Sequence, residues 1–157
     1  LGGDEGAHLI EERLQPIVEA LDKMVEARPA EISENLQLDI LSDFASGALS
    51  LGERGGHIKW LSKALDARQR YLDAVDRTTD PIAWGAAQQE IGRALTALGE
   101  REGARDKLEE GASRLRLAMD ALRSTDSLQQ AEVALRALQR AEQTLQQRRR
   151  VGLRWPG

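Results

Sequence analysis

The sequence predicts an all-α protein: six helices stacked as antiparallel helix hairpins. Three observations carry this. Apolar residues return every three or four positions from Ile10 to Leu145, and no stretch shows the sustained apolar–polar alternation of a half-buried strand. Helix-breaking and capping residues punctuate that pattern at Pro29, Gly52, Thr78 to Pro81, Gly99 and Ser124 to Ser127, leaving segments of ordinary helical length. Finally, a segment repeats itself at an offset of 47 residues, as helix pairs do when each buries its face on the next.

Element by element, the first helix carries Ile10, Leu14, Ile17, Leu21 and Met24 as its apolar stripe, widened by Val18 and Val25. Glu11, Glu12, Glu19 and Glu26 form its outer face, and Pro16 either kinks it or marks its start. Pro29 opens a second helix through Leu36, Ile40, Leu41, Phe44, Ala48 and Leu51 to a left-handed stop at Gly52. The third runs from Ile58 to Val75. Thr78-Thr79-Asp80-Pro81 is the clearest boundary: Asp80 can accept from free amides of the next helix, and Pro81 sits where a missing N–H costs nothing. Helix four then presents Trp84, Ala87, Ile91, Ala94, Leu95 and Leu98 before Gly99, and helix five Leu108, Ala112, Leu115, Ala118, Met119 and Leu122. Ser124 to Ser127 cap a sixth helix through Leu128, Ala131, Leu135, Leu138, Ala141 and Leu145, which decays into Arg148-Arg149-Arg150.

Composition bounds the chemistry. The chain has 157 residues, a net charge of -4 and no cysteine, which excludes a disulfide scaffold, a thiol nucleophile and Cys-ligated metal. One domain, 1–157, accommodates this length. No apolar run reaches the roughly 20 residues of a membrane span, and no signal layout is seen, so a cytoplasmic setting is expected. The opening Leu1 to Gly6 reads as an excised fragment, a processed chain or an expression scar. Residues 1–80 hold 16 acids and 9 bases, whereas 81–157 hold 10 acids and 13 bases, an asymmetry that suits an acidic partner or an acidic neighbouring half.

Leu51-Gly52-Glu53-Arg54 recurs as Leu98-Gly99-Glu100-Arg101, and the register extends to Phe44 on Ile91, Ala45 on Gly92, Leu61 on Leu108, Leu72 on Met119 and Val75 on Leu122. Ile91-Gly92-Arg93-Ala94-Leu95 followed by Leu98-Gly99-Glu100-Arg101 resembles the first helix of a tetratricopeptide repeat, in a long bacterial variant with Trp84 one turn upstream. Leu108 to Met119 resembles the second helix, with Gly111 at its small position, Leu115 at its aromatic position and Ala118 at its later alanine. The chain departs from the family in its 47-residue period, its aliphatics for aromatics and Arg68 at an apolar position. The resemblance implies two units, 37–77 and 84–122, flanked by a helix at 1–28, a capping helix at 127–147 and a basic tail at 148–157.

What the resemblance further implies is a concave groove lined by the first helix of each pair. Carried over by position, the partner-binding residues are Asp39, Ser42 and Ser46 in the earlier unit and Gln89, Arg93 and Thr96 in the later one. They could hydrogen-bond an extended or helical segment of another protein; they also read as ordinary solvated positions. The lysines and asparagines with which some members clamp a chaperone C-terminus are not at these positions, which disfavours that ligand.

Other constellations read as surface. His8, Glu11 and Glu12 have the spacing of three metal ligands, but first-turn acids on a solvated helix explain them without a metal, and no cofactor or metal is expected. His57 belongs to a turn after Gly55-Gly56, and Glu109-Glu110 lie among bases rather than in a shielded pocket. Gly52 to Gly56 lacks the lysine and hydroxyl of a phosphate loop. Arg148, Arg149, Arg150 and Arg154 around Trp155 could meet phosphates and bases, yet cations closing a helix C-terminus explain them more simply, so nucleic acid is disfavoured. The expectation is a non-enzymatic protein-interaction module for a peptide or partner domain. The alternative is a self-association module in which helix one (Ile10, Leu14, Ile17, Leu21, Met24) or helix six (Leu128, Leu135, Leu138, Leu145) completes its core with another copy.

Overall fold

Along the chain, the computed structural model describes residues 2–151, without the side chains of 2–4 and 7. Among these it is all-helical: α1 (Gly2–Ala27), α2 (Glu34–Gly55), α3 (Ile58–Asp73), α4 (Pro81–Glu102), α5 (Arg105–Arg123) and α6 (Leu128–Arg150). The expected all-α class is therefore shown. The chain forms two compact units, Leu1–Tyr71 and Leu72–Gly157. Within the first, α1 packs on α2; within the second, α5 packs on both α4 and α6.

Several helix ends differ from the sequence reading, each for a local reason. Pro29 does not open α2. Arg28 turns left-handed at φ 44°, and Ser33 caps α2 with its Oγ 3.3 Å from the Leu36 amide. Pro16 neither starts nor ends α1; it lies exposed inside it, where water can serve the carbonyl its ring leaves without a donor. Gly52 and Gly99 are not stops. Both helices run on, to the left-handed Gly56 (φ 74°) and Gly103 (φ 65°). Asp80 caps α4 as expected, accepting from the Ala83 amide at 3.0 Å with Pro81 in the first turn. Ser124 and Thr125 close α5 rather than opening α6: their hydroxyls donate to the Ala121 and Leu122 carbonyls at 2.6 and 2.9 Å.

What Gly52 and Gly99 do instead is let helices touch. A Cβ on Gly52 would lie 2.6 Å from the Leu61 side chain, and one on Gly99 would lie 2.8 Å from Leu108. The 47-residue repeat thus reproduces one packing contact in each unit. In the second unit the contact becomes a ladder: Gly85 meets Leu122, Gly92 meets Leu115 and Gly99 meets Leu108, at hypothetical Cβ distances of 2.9, 2.6 and 2.8 Å. Glycines every seven residues up α4 oppose leucines every seven residues down α5, so each leucine inserts where its partner helix has no side chain. Leu108, Leu115 and Leu122 are fully buried. Each contributes about 2 kcal/mol relative to exposure.

The other side of α5 closes on α6 through small residues. Ala112, Ala118, Met119 and Leu122 meet Ala131, Ala134, Leu138 and Ala141 in one cluster. Glu100 in the last turns of α4 helps to hold α6: its carboxylate accepts from Arg140 at 2.9 and 3.2 Å and from Thr144 at 3.1 Å, while its carbonyl accepts from Arg148 at 3.2 Å. In the first unit α1 lies with Val18 fully buried over Gly47, the only α2 residue type that leaves room, since a Cβ there would come within 2.8 Å of it. Glu11 to His57 (3.1 Å) and Asp22 and Glu26 to Lys63 (2.6 and 3.2 Å) tie the middle and the C-terminal part of α1 to the α2–α3 turn and to α3.

Candidate functional site

Of the six residues expected to line a groove, three lie on α2 and three on α4. Asp39 is exposed. Ser42 and Ser46, one turn apart on α2, are half-buried and turned to a residue of α3: Arg68 donates to Ser42 Oγ at 2.9 Å, to the Ser42 carbonyl at 3.0 Å and to Ser46 Oγ at 2.8 Å. Arg68 is only 5% exposed, and its guanidinium also stacks 5.0 Å from the Tyr71 ring. The two serines therefore complete an internal network before any ligand arrives.

On α4 the three residues part company. Arg93 is half-buried and Gln89 is 8% exposed. Thr96 is inside the helix pair: 5% exposed, its hydroxyl donating to the Gly92 carbonyl at 2.8 Å. A Cβ on Gly111 of α5 would sit 2.7 Å from that hydroxyl, so Thr96 fills the space Gly111 leaves and faces α5, not a groove. The sequence reading placed Thr96 one step too far around the helix, because Thr is compatible with a face and with a seam once its hydroxyl bonds back four residues. Neighbouring Gln88, missed as a site residue, is buried and accepts from Arg114 of α5 at 3.2 Å.

A second feature, not read from the sequence, is a cleft of about 290 Å³ in the first unit. Val25, Phe44 and Ala67 supply its apolar wall, while Lys63, Asp66 and Arg70 stand on α3 at successive turns. Its charged groups come from α1 and α3, about forty residues apart, and only the spacing of Asp22 with Glu26 and of Lys63 with Arg70 hinted that each set shares a face. Lys63 is the organised group here. The Asp22 carboxylate hydrogen-bonded to it, with a smaller contribution from Glu26, holds its ammonium above the ordinary 10.5, against the opposing effect of burial. Trp60 closes the core beneath, edge-on to Phe44 with ring centroids 6.4 Å apart.

The three spacing-matched metal ligands of α1 do not converge. His8 Nδ1 lies 3.4 Å from Glu12, whereas Glu11 turns to His57. Among the described residues no group of three or more His, Asp or Glu is arranged to hold a metal ion. No described helix is long and apolar enough to cross a membrane. Arg148 at the end of α6 reaches the Glu100 carbonyl, so part of the basic tail secures the helix. Arg154 and Trp155 lie outside the described residues.

The chain matches no family model, no curated protein and no solved structure.

Proposed function

We propose that the protein is a non-enzymatic interaction module that resembles tetratricopeptide repeats and takes a peptide or partner domain against the first helix of its helix pairs. The observation that supports this reading most is the repeated contact of Gly52 with Leu61 and Gly99 with Leu108, which makes α2–α3 and α4–α5 two copies of one design. Repeated helix pairs of this kind serve as scaffolds whose polar face residues vary while the seam is kept. The resemblance also suggests a bacterial type of protein.

Of the expected contact set, the members that stand best for a partner, each taken within its own unit, are Asp39 on α2 and Arg93 on α4, both reaching solvent. Ser42 and Ser46 support the face from behind through Arg68, and Gln89 offers only an edge. A displayed library of random peptides selected against the full chain tests the reading. Enriched peptides that lose at least about tenfold in affinity on Arg93→Ala or Asp39→Ala, with helicity unchanged, are the expected result. Peptides whose binding ignores both substitutions would sink the groove assignment.

A further inference from the structure

We propose that α1 pairs antiparallel with α1 of a second copy of this chain. The helix carries two apolar faces where its packing needs one. Val18 and Val25, flanked by Glu11 and Asp22 with their partners on His57 and Lys63, define the side turned to the rest of the first unit. About 130° around the helix, at 3.6 residues per turn, lies a second stripe: Ile10, Arg13, Ile17, Ala20, Met24 and Ala27, spaced 3, 4, 3, 4, 3. Its large members are open, with Ile10 at 48%, Ile17 at 57% and Met24 at 44% exposure. Leu9 beside them is 49% exposed. The sequence reading gave Ile10, Ile17 and Met24 to the apolar stripe of helix one and, in its alternative, to a core completed with another copy; the structure leaves them outside the chain's own core.

The stripe is complementary to itself in one orientation. Bulky residues recur every seven positions at Ile10, Ile17 and Met24, and alanines recur at Ala20 and Ala27. Laid antiparallel about a twofold axis midway between residues 18 and 19, Ile10 of one copy meets Ala27 of the other, Ile17 meets Ala20, and Met24 lies along the aliphatic stem of Arg13. Each large side chain faces a small or flexible one, twice over. The charges agree: this register brings Lys23 of each copy beside Glu12 of the other on the same rim. A parallel pair would set Arg13 against Arg13 and leave both acids and bases unmatched. From Ile10 to Ala27 the stripe runs about 26 Å, at about 1.5 Å per residue. A helix pair of that length buries on the order of 1,200 Å² in total, the lower edge of the range for specific interfaces, and so fits a reversible dimer.

The absence of cysteine from the chain allows a clean test. Light scattering of the full chain over a wide concentration range is expected to show a monomer–dimer equilibrium, which Ile17→Lys weakens by at least about thirtyfold. Ile17 is exposed, so helicity should be unchanged. Lys23→Glu and Glu12→Lys should each weaken the dimer and together restore it. For register, oxidised Ile10→Cys and Ala27→Cys proteins should each stay monomeric in gels when alone and form a disulfide heterodimer when mixed. A mass that stays monomeric at all concentrations, or a dimer indifferent to Ile17→Lys, overturns the proposal. Self-linking of Ile10→Cys overturns the antiparallel arrangement. None of these substitutions touches the residues of α2 and α4 proposed for peptide binding, so either reading can fail without the other.

Discussion

Replacing Gly92 by alanine sets two physical effects against each other, and the structure decides between them. In an exposed helix interior, Gly→Ala stabilises by about 1 kcal/mol, because glycine loses more backbone freedom on folding. At Gly92 the new Cβ would lie 2.6 Å from Leu115 Cγ, 3.0 Å from Leu115 Cδ2 and 3.0 Å from the Gly111 carbonyl oxygen. Leu115 has no exposed surface and sits between α4 and the α5–α6 cluster, so it has nowhere to retreat. The carbonyl belongs to a helix and cannot yield alone. Either α4 and α5 separate by several tenths of an ångström, loosening the Gly85–Leu122 and Gly99–Leu108 contacts above and below, or Leu115 leaves its rotamer.

Overpacking of this kind costs about 1–3 kcal/mol, and the rigid surroundings place it at the upper end. Less the helix gain, the expected net loss is about 2 kcal/mol. For a unit of this size that lowers the melting temperature by roughly 8–16 °C. Thermal unfolding followed by circular dichroism reads it, with Gly6→Ala as the control. Gly6 has no atom within 4 Å of its hypothetical Cβ, so the same substitution there should leave stability unchanged or raise it by up to about 1 kcal/mol. Leu115→Val should recover part of the Gly92→Ala loss in the double variant, since the two side chains compete for one space. A Gly92→Ala protein that melts higher than the parent would refute the ladder as the feature that sets the α4–α5 distance.

Further expectations rest on single groups. Arg68→Ala should cost about 2–4 kcal/mol in urea unfolding, because it leaves the Ser42 carbonyl and two hydroxyls without their buried donor. Asp80→Ala removes the acceptor of the Ala83 amide and should cost about 1 kcal/mol in urea unfolding. Asp76 and Lys63 each add a limb to the dependence of stability on pH, one acid and one alkaline. Thr79 and Thr78 amides donating to Asp76 hold its carboxyl below 3.8, so that contribution is complete above 3.8 and disappears as pH falls through the lowered value. Lys63, held above 10.5 by Asp22, contributes fully below 10.5 and is lost as pH rises past its raised value. Asp76→Ala should flatten the acid limb and Lys63→Met the alkaline one in unfolding midpoints measured against pH.

Helix positions were legible because the 3.6-residue period, the Asp80–Pro81 cap and the breaks between segments are local signals. Helix ends were less so. Gly52 and Gly99 look like stops in sequence, since glycine ends helices, yet the same residue type is also what a close helix crossing needs. Only the partner leucine, nine residues on at Leu61 and Leu108, separates the two uses. For α1 the sequence showed one broad apolar stripe and could not say which edge faces inward. Val18 settled that, because Gly47 leaves a hole for it and for no neighbour. The candidate face was read less well than the core, for Ser42, Ser46 and Thr96 are small polar residues equally at home on a surface or in a hydrogen-bonded seam.

The two repeats close the same position in opposite ways, and that difference reaches the surface. By the 47-residue register, Gly92 and Leu115 of the second unit correspond to Ala45 and Arg68 of the first. A leucine knob fits against Gly92 because there is no Cβ; at Ala45 there is one, and a branched side chain of the same length would meet it. A longer unbranched side chain can pass beside the alanine, but a charged end then needs acceptors, and α2 provides them in Ser42, three residues before Ala45, and Ser46, next to it. Those serines stand where the second unit has Gln89 and Arg93. So the residue that fills the seam goes with the residues beside it: Arg68 takes the two half-buried serines as acceptors, whereas beside the apolar Leu115 the same positions hold Gln89, 8% exposed, and Arg93, half-buried. Substituting Arg68→Leu alone should therefore fail, whereas Arg68→Leu with Ala45→Gly, Ser42→Gln and Ser46→Arg should regain stability by rebuilding the second unit's seam in the first.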